Sequence, residues 1–491
     1  MQKNPFLGLK PAELWDYFFS ITQIPRPSKH EEAIEEFVMN FGKKLGLETI
    51  KDEANNILIR KPATIGMEKR KITTLQCHLD MVPEKNNDVT HDFLTDPIHP
   101  YIVDDGMWVK AQGTTLGADN GIGVAAAMFI LASTNIQHGP LEALFTHNEE
   151  SGMVGAFGLT KTFLNGDILL NLDSEDWGEV FIGCAGGTNA NIIFNYREEA
   201  VPNNHASFVV SLTGLKGGHS GCDIDLYRAN AIKLIVRFLW QASRDYGLRL
   251  STIEGCALRN AIPREAYASF SLPKKNIKAI NSLAAEMNQN FQKEYATVDA
   301  GVTLSIENAK YTAFVMKPRF QNRLLNALYV CPNDVIRFSN DMKGLVETST
   351  NLSNIKSAGG KIYVQCLLRS SVNSAQKNLK NMFLAVFQQP GVKIKFDGEY
   401  PGWKPNTNSE ILEVMKKVHK DLFGAEPQVK AIHAGLECGL IGGIYPNLDM
   451  ISFGPTIQHP HSPDERLNIA TVEKFSEYLK AVLVAIPAKE N

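Results

Sequence analysis

The chain has 491 residues, 44% of them hydrophobic, and its 50 basic and 53 acidic side chains leave a net charge of −3. That length exceeds one compact core and sets an expectation of two or three folding units. No basic block could follow a phosphate backbone, so the composition argues against a nucleic-acid partner.

Residues 1–17 alternate apolar and charged side chains and lack the apolar core of a secretory signal. No stretch approaches the ~20 apolar residues that cross a bilayer, so a cytoplasmic protein with no membrane contact is expected. Seven cysteines stand apart without a C-x-x-C pair, which argues against a zinc ribbon, a redox dithiol or a disulfide framework.

Pro27, Ser28 and Glu31 stand at capping-box spacing ahead of Ile34, Phe37, Val38, Phe41 and Leu45, so a helix is expected there. Residues 71–77, 141–146 and 167–172 read as strands, and 121–133 as a helix rich in Ala, Met, Phe and Leu. That alternation predicts an α/β unit with a mainly parallel sheet and helices on both faces. Between 187 and 401 the texture changes to longer amphipathic helices, over 230–240, 280–291 and 373–387, between polar-alternating strands. We read this stretch as an inserted α+β domain, because the sheet-type pattern resumes near Asn408 and gives a strand over 448–453. The expected division is therefore 1–186, 187–401 and 402–491, with the first and last forming one unit.

The predicted strands end at metal-binding side chains. One runs into Cys77-His78-Leu79-Asp80, one into His147-Asn148-Glu149-Glu150, one into Asp173, and the last leads towards His459-Pro460-His461. In an open α/β sheet, ligands bind beyond the carboxyl ends of strands, so these segments converge. Asp119 lies in the glycine-rich Gly117-Ala118-Asp119-Asn120-Gly121 turn before a helix, where a carboxylate could share its oxygens between two cations. A phosphate-cradling turn could look similar, but the lysine and Ser/Thr of a P-loop are missing. Histidines and carboxylates without cysteine make a mixed ligand set that suits two Zn2+, with Mn2+ or Co2+ as alternatives. Paired cations of that kind can activate a shared water while polarising a carbonyl, and one carboxylate must stay unligated to take the proton. Glu149 and Glu150 are adjacent and face different ways in extended backbone, so one can bind metal while the other reaches the water.

These segments, with Glu149-Glu150-Ser151-Gly152, Asn171-Leu172-Asp173-Ser174-Glu175, Gly217-Gly218-His219-Ser220-Gly221 and His459-Pro460-His461-Ser462-Pro463, resemble the dinuclear zinc peptidase family that includes aminoacylase, glutamate carboxypeptidases and peptidase T. They occur in the family's order across most of the chain. The runs from His78 to Asp96-Pro97 and from Gly113 to Asn120, with Ala431 to Gly439, resemble its branch that splits aminoacyl-histidine dipeptides.

The resemblance implies a metal-dependent dipeptidase whose catalytic domain is 1–186 with 402–491, and whose insert, 187–401, is a lid and dimerisation domain. It implies that His78 and Asp173 complete one metal site and Glu150 and His461 the other, with Asp119 bridging. Asp80 would orient His78, and Glu149 would be the general base. His219 would stabilise the oxyanion, from its own or the partner subunit. Asn260, Arg369 and the backbone around Gly435 would hold the substrate's carboxylate. The expected substrate is a small peptide and the expected assembly a homodimer through the insert. Hydrolysis of tripeptides or N-acyl amino acids is the alternative within the family, and a catalytically silent binding or scaffold protein the alternative outside it. Cys77 could suggest a thiol nucleophile, yet its place in an apolar strand favours a buried core residue.

Overall fold

The structure, a computed structural model, describes residues 3–103, 105–256, 258–309 and 313–489. The chain divides into two compact units: the first comprises the segment up to Gly183, Pro405–Ala431 and the segment from Leu436 onward, the second Cys184–Lys404 and Ile432–Gly435. The second unit thus starts at 184 rather than the expected 187, ends at 404 rather than 401, and takes in 432–435 from the expected 402–491 segment. Backbone pairing is the reason. Cys184 and Trp403 exchange hydrogen bonds of 2.9 and 3.0 Å, and Ala185 N donates to Ile432 O and Ala434 O at 3.1 and 3.0 Å.

The first unit is built on an eight-stranded sheet. Its centre is the parallel run Leu141–Thr146, Thr73–His78, Ile168–Asn171 and Asp449–Ser452. Every residue of the first three is buried, as expected for parallel strands covered on both faces. Towards the edges the pairing turns antiparallel, with Ile57–Lys61 and Glu48–Lys51 beyond the first strand and Glu179–Cys184 beyond the last. The helix Ala118–Ala132 packs on the strand Thr73–His78, and its small residues allow a close approach. A Cβ at Gly123 would stand 2.8 Å from Leu172 O.

The expected capping box does not form. The helix runs Glu32–Lys44 behind Glu31 with no side-chain cap, and Ser28 instead donates through its N–H and Oγ to Met81 O. A long-range strand-like bridge between Pro27 and Met81 holds this segment, so tertiary pairing overrides the local motif.

The second unit holds a nine-stranded sheet whose recorded pairings are antiparallel. Burial alternates along Gly186–Asn195 and His205–Thr213, so one face meets a core containing Phe194, Phe208, Phe238, Phe270 and Phe383. The helix Ala231–Tyr246 contributes Ile232, Ile235, Val236, Phe238 and Leu239 to the buried set. Asn230 caps its start by accepting from Ile232 N and Lys233 N, and left-handed Gly247 ends it. Among the described residues no helix is long and apolar enough to cross a membrane.

Candidate metal centre

His78 is the last residue of its buried strand, which brings its ring to the carboxyl edge of the parallel sheet. Asp173 follows the neighbouring strand Ile168–Asn171, and Glu149 and Glu150 follow Leu141–Thr146 on the other side. Asp119 sits at the head of the helix Ala118–Ala132, where its own backbone is not helical and its peptide bond to Asn120 is cis. His461 lies in a turn in which it and His459 both have left-handed backbone, φ 59° and 56°.

Asp119 divides its oxygens between two histidines. Its Oδ1 is 3.0 Å from His78 Nε2 and its Oδ2 is 3.1 Å from His461 Nε2. Asp173 Oδ1 stands 3.3 Å from the same His78 nitrogen, and Glu150 Oε1 3.0 Å from the same His461 nitrogen. One carboxylate therefore joins a His78–Asp173 set to a Glu150–His461 set. Among the described residues, His78, Asp119 and Glu150 form a group whose donor atoms all lie within 4.8 Å of one another.

Asp80 does two things here. Its Oδ1 lies 3.3 Å from His78 Nδ1, and its two oxygens accept the N–H groups of Glu149 and Glu150 at 2.9 and 3.1 Å. His147 turns away from the ligand set and bonds Glu35 Oε1 at 2.8 Å. Cys77 is fully buried, and burial pushes its thiol well above the ordinary range, so it is a core residue.

The electrostatics call for cations. Burial pushes Asp173 up to about 6, Glu175 up to about 9, and Glu149 and Glu150 upward as well. Hydrogen bonds to Asp119 and Glu150 push His461 up to about 11. Asp119 is held below its usual value because bonds from His461 and His78 outweigh its burial. Glu150 Oε1 and Asp173 Oδ1 are buried without a hydrogen bond of good geometry. Crowded carboxylates, two imidazoles and unsatisfied oxygens fit a pair of divalent cations on mixed nitrogen and oxygen donors.

The remaining sequence-predicted residues belong to the second unit. His219 pairs through the short strand Gly218–His219 with Ala261–Ile262, and its Nδ1 accepts from Gly221 N at 3.2 Å and Cys222 N at 3.0 Å. Burial, then the charge of Arg369, lowers its pKa, so the ring is neutral and its proton sits on Nε2. Asn260 accepts Ser220 N through its backbone oxygen at 2.7 Å. Arg369 is 5% exposed, donates to Tyr400 Oη at 3.4 Å, leaves its Nε unpartnered and has no carboxylate partner among the described residues. Gly435 clusters with this unit, beside His433, whose Nε2 bonds Ser349 Oγ at 2.7 Å.

Three residues near the ligands escaped the sequence reading. Glu437 accepts from Gln76 Nε2 and Thr146 Oγ1 at 2.6 and 2.7 Å, and burial pushes it up to about 7. Glu465 follows His461 closely enough in sequence to have drawn notice as a carboxylate beside a ligand. Arg26 has no sequence signal at all.

Residues 74–485 match the sequence profile of peptidase family M20/M25/M40. The chain is 44% identical to the cytosol non-specific dipeptidase of Escherichia coli (strain K12) over 98% of its own length and 99% of the relative's. It superposes on the crystal structure of aminoacylhistidine dipeptidase from Vibrio alginolyticus with a TM-score of 0.93 and 46% identity, covering 98% of each chain. Aminopeptidase PepT from Bacillus cereus shares the fold at a TM-score of 0.57 and 16% identity, over 97% of this chain and 99% of that one. With a profile match over most of its length, the chain belongs to peptidase family M20/M25/M40.

Proposed function

We propose that this protein is a two-metal dipeptidase that prefers aminoacyl-histidine substrates, β-alanyl-histidine among them, and acts in the cytoplasm as a homodimer. The observation that carries the reading is Asp119, whose two oxygens meet different histidines. The names of the Escherichia coli and Vibrio relatives support the dipeptide substrate. The second unit exposes the apolar side chains of Leu226, Tyr227, Leu258, Ile336 and Phe338, of the kind a partner chain covers.

His78, Asp119 and Asp173 would hold one zinc, Glu150, His461 and the same Asp119 the other. Such a pair supplies Lewis acidity that polarises a carbonyl and lowers the pKa of a water. Glu149 takes the proton from the attacking water and passes it to the leaving amine, and its burial raises its proton affinity in the direction this demands. Asp80 keeps Glu149 and Glu150 in place through their backbone N–H groups. His219, of this subunit or of its partner, would donate from Nε2 to the carbonyl oxygen as charge develops on it. Arg369, a buried cation with no carboxylate partner among the described residues, would pair with the substrate's free carboxylate, assisted by Asn260 and the backbone at Gly435.

The test is hydrolysis of β-alanyl-histidine, glycyl-histidine, a tripeptide and an acetylated amino acid, with zinc assayed on the same sample. Dipeptides should dominate, chelation should stop turnover, and zinc or manganese should restore it. Preference for the tripeptide or the acetylated amino acid would overturn the substrate assignment.

A further inference from the structure

Two buried groups outside the ligand set grip the turn that carries Asp119. Glu465 is 1% exposed. Its Oε2 accepts from Leu116 N at 2.7 Å and Gly117 N at 2.9 Å, and its Oε1 from Ala118 N at 2.7 Å and Asp119 N at 3.2 Å. The Arg26 guanidinium, 2% exposed, donates through Nη1 to Leu79 O at 2.8 Å and Asp80 O at 2.7 Å, and through Nη2 to Gly117 O. One fork thus ties the strand end that bears His78 to the turn that bears Asp119. The glycines make room for it, since a Cβ on Gly117 or Gly121 would stand 2.6 Å from Arg26 Nη2.

The turn needs such a grip. Asp119 and Asn120 have non-helical backbone (φ −81°, ψ 110° and φ −105°, ψ 33°), so helix geometry does not fix where the Asp119 carboxylate stands. The Asp119 N–H and the three preceding N–H groups are spent on Glu465, a single rigid carboxylate. A carboxylate shared between two histidine-bearing sets tolerates little displacement, because any shift that favours one set lengthens its contacts to the other.

We propose that Glu465 and Arg26 are positioning residues that fix the Asp119 carboxylate between His78 and His461 and thereby set the affinity for the paired cations. This rests on the metal-centre reading above. Glu465→Gln leaves one oxygen to serve four N–H groups, and Arg26→Lys keeps the charge but loses the fork that reaches three carbonyls.

Calorimetric titration of zinc into chelator-stripped protein, alongside thermal unfolding without metal, tests it. Both variants should unfold like the metal-free wild type yet bind zinc about 10- to 100-fold more weakly. Wild-type zinc affinity in either variant overturns the proposal. So does a variant that cannot fold without metal, which would make the grip a fold-stabilising contact. Absence of zinc binding by the wild type would sink the metal-centre reading instead.

Discussion

His219 donates rather than accepts because two backbone N–H groups already occupy its Nδ1. Protonation of that nitrogen would break both bonds beside the Arg369 charge, so the ring stays neutral with a fixed donor on Nε2. A donor of this kind acts on the transition state more than on bound substrate. His219→Ala should therefore lower kcat about 10²- to 10³-fold with little change in KM. Steady-state kinetics at saturating zinc checks this, and an unchanged kcat would remove His219 from the reaction. Glu149 poses the complementary question. Glu149→Gln keeps the shape but cannot take a proton, so kcat should fall about 10²- to 10⁴-fold while calorimetry finds zinc binding retained. Normal turnover in that variant would assign the base elsewhere.

Among the elements, the strand Asp334–Phe338 carries a conditional cost. Burial, partly offset by Lys233, pushes Asp334 from 3.8 up to about 6. The folded state therefore binds a proton more tightly than the unfolded chain. The stability tied to that proton is full below pH 3.8 and is lost as pH rises through about 6. Asn keeps the neutral form at every pH and tolerates the left-handed backbone there, φ 76°. Asp334→Asn should thus raise stability at pH 8 and leave it nearly unchanged at pH 4. Urea unfolding at the two pH values measures the difference, and an equal effect at both would show that the carboxyl is not strained by burial.

For the whole molecule, metal and assembly are the open variables. Ligands that bind only the folded state stabilise it by mass action, about 4 kcal/mol at a thousandfold excess over Kd. Chelation should therefore lower the melting temperature, and added zinc should raise it again with zinc concentration. Light scattering of the active enzyme should give the mass of two chains. A monomer mass under the same conditions would remove the dimer from the functional account and leave the exposed apolar residues of the second unit without that partner.

Much of the candidate metal centre was legible because the proposed chemistry demands particular side chains. Only a few residue types ligate divalent metals, so His78, Asp119, Glu150, Asp173 and His461 stand out, and apolar runs ahead of several of them mark strand ends. The strand over 141–146 was readable to the residue because its burial leaves no polar alternation. The local motif at Ser28 misled, since its bonds go to Met81, 53 residues away. The grip on Asp119 left almost no trace. Arg26 bonds backbone oxygens 53 to 91 residues distant, and Glu465 bonds backbone N–H groups 346 to 349 residues distant.

The sequence by itself determined the kind of chemistry, because ligands and bases must be specific side chains. Tertiary structure alone decided which oxygen of Asp119 meets which histidine and what holds that carboxylate in place. Contacts to the main chain put little requirement on the identity of the partner residue beyond the room that Gly117 and Gly121 leave, so the pattern of residues announces them only faintly.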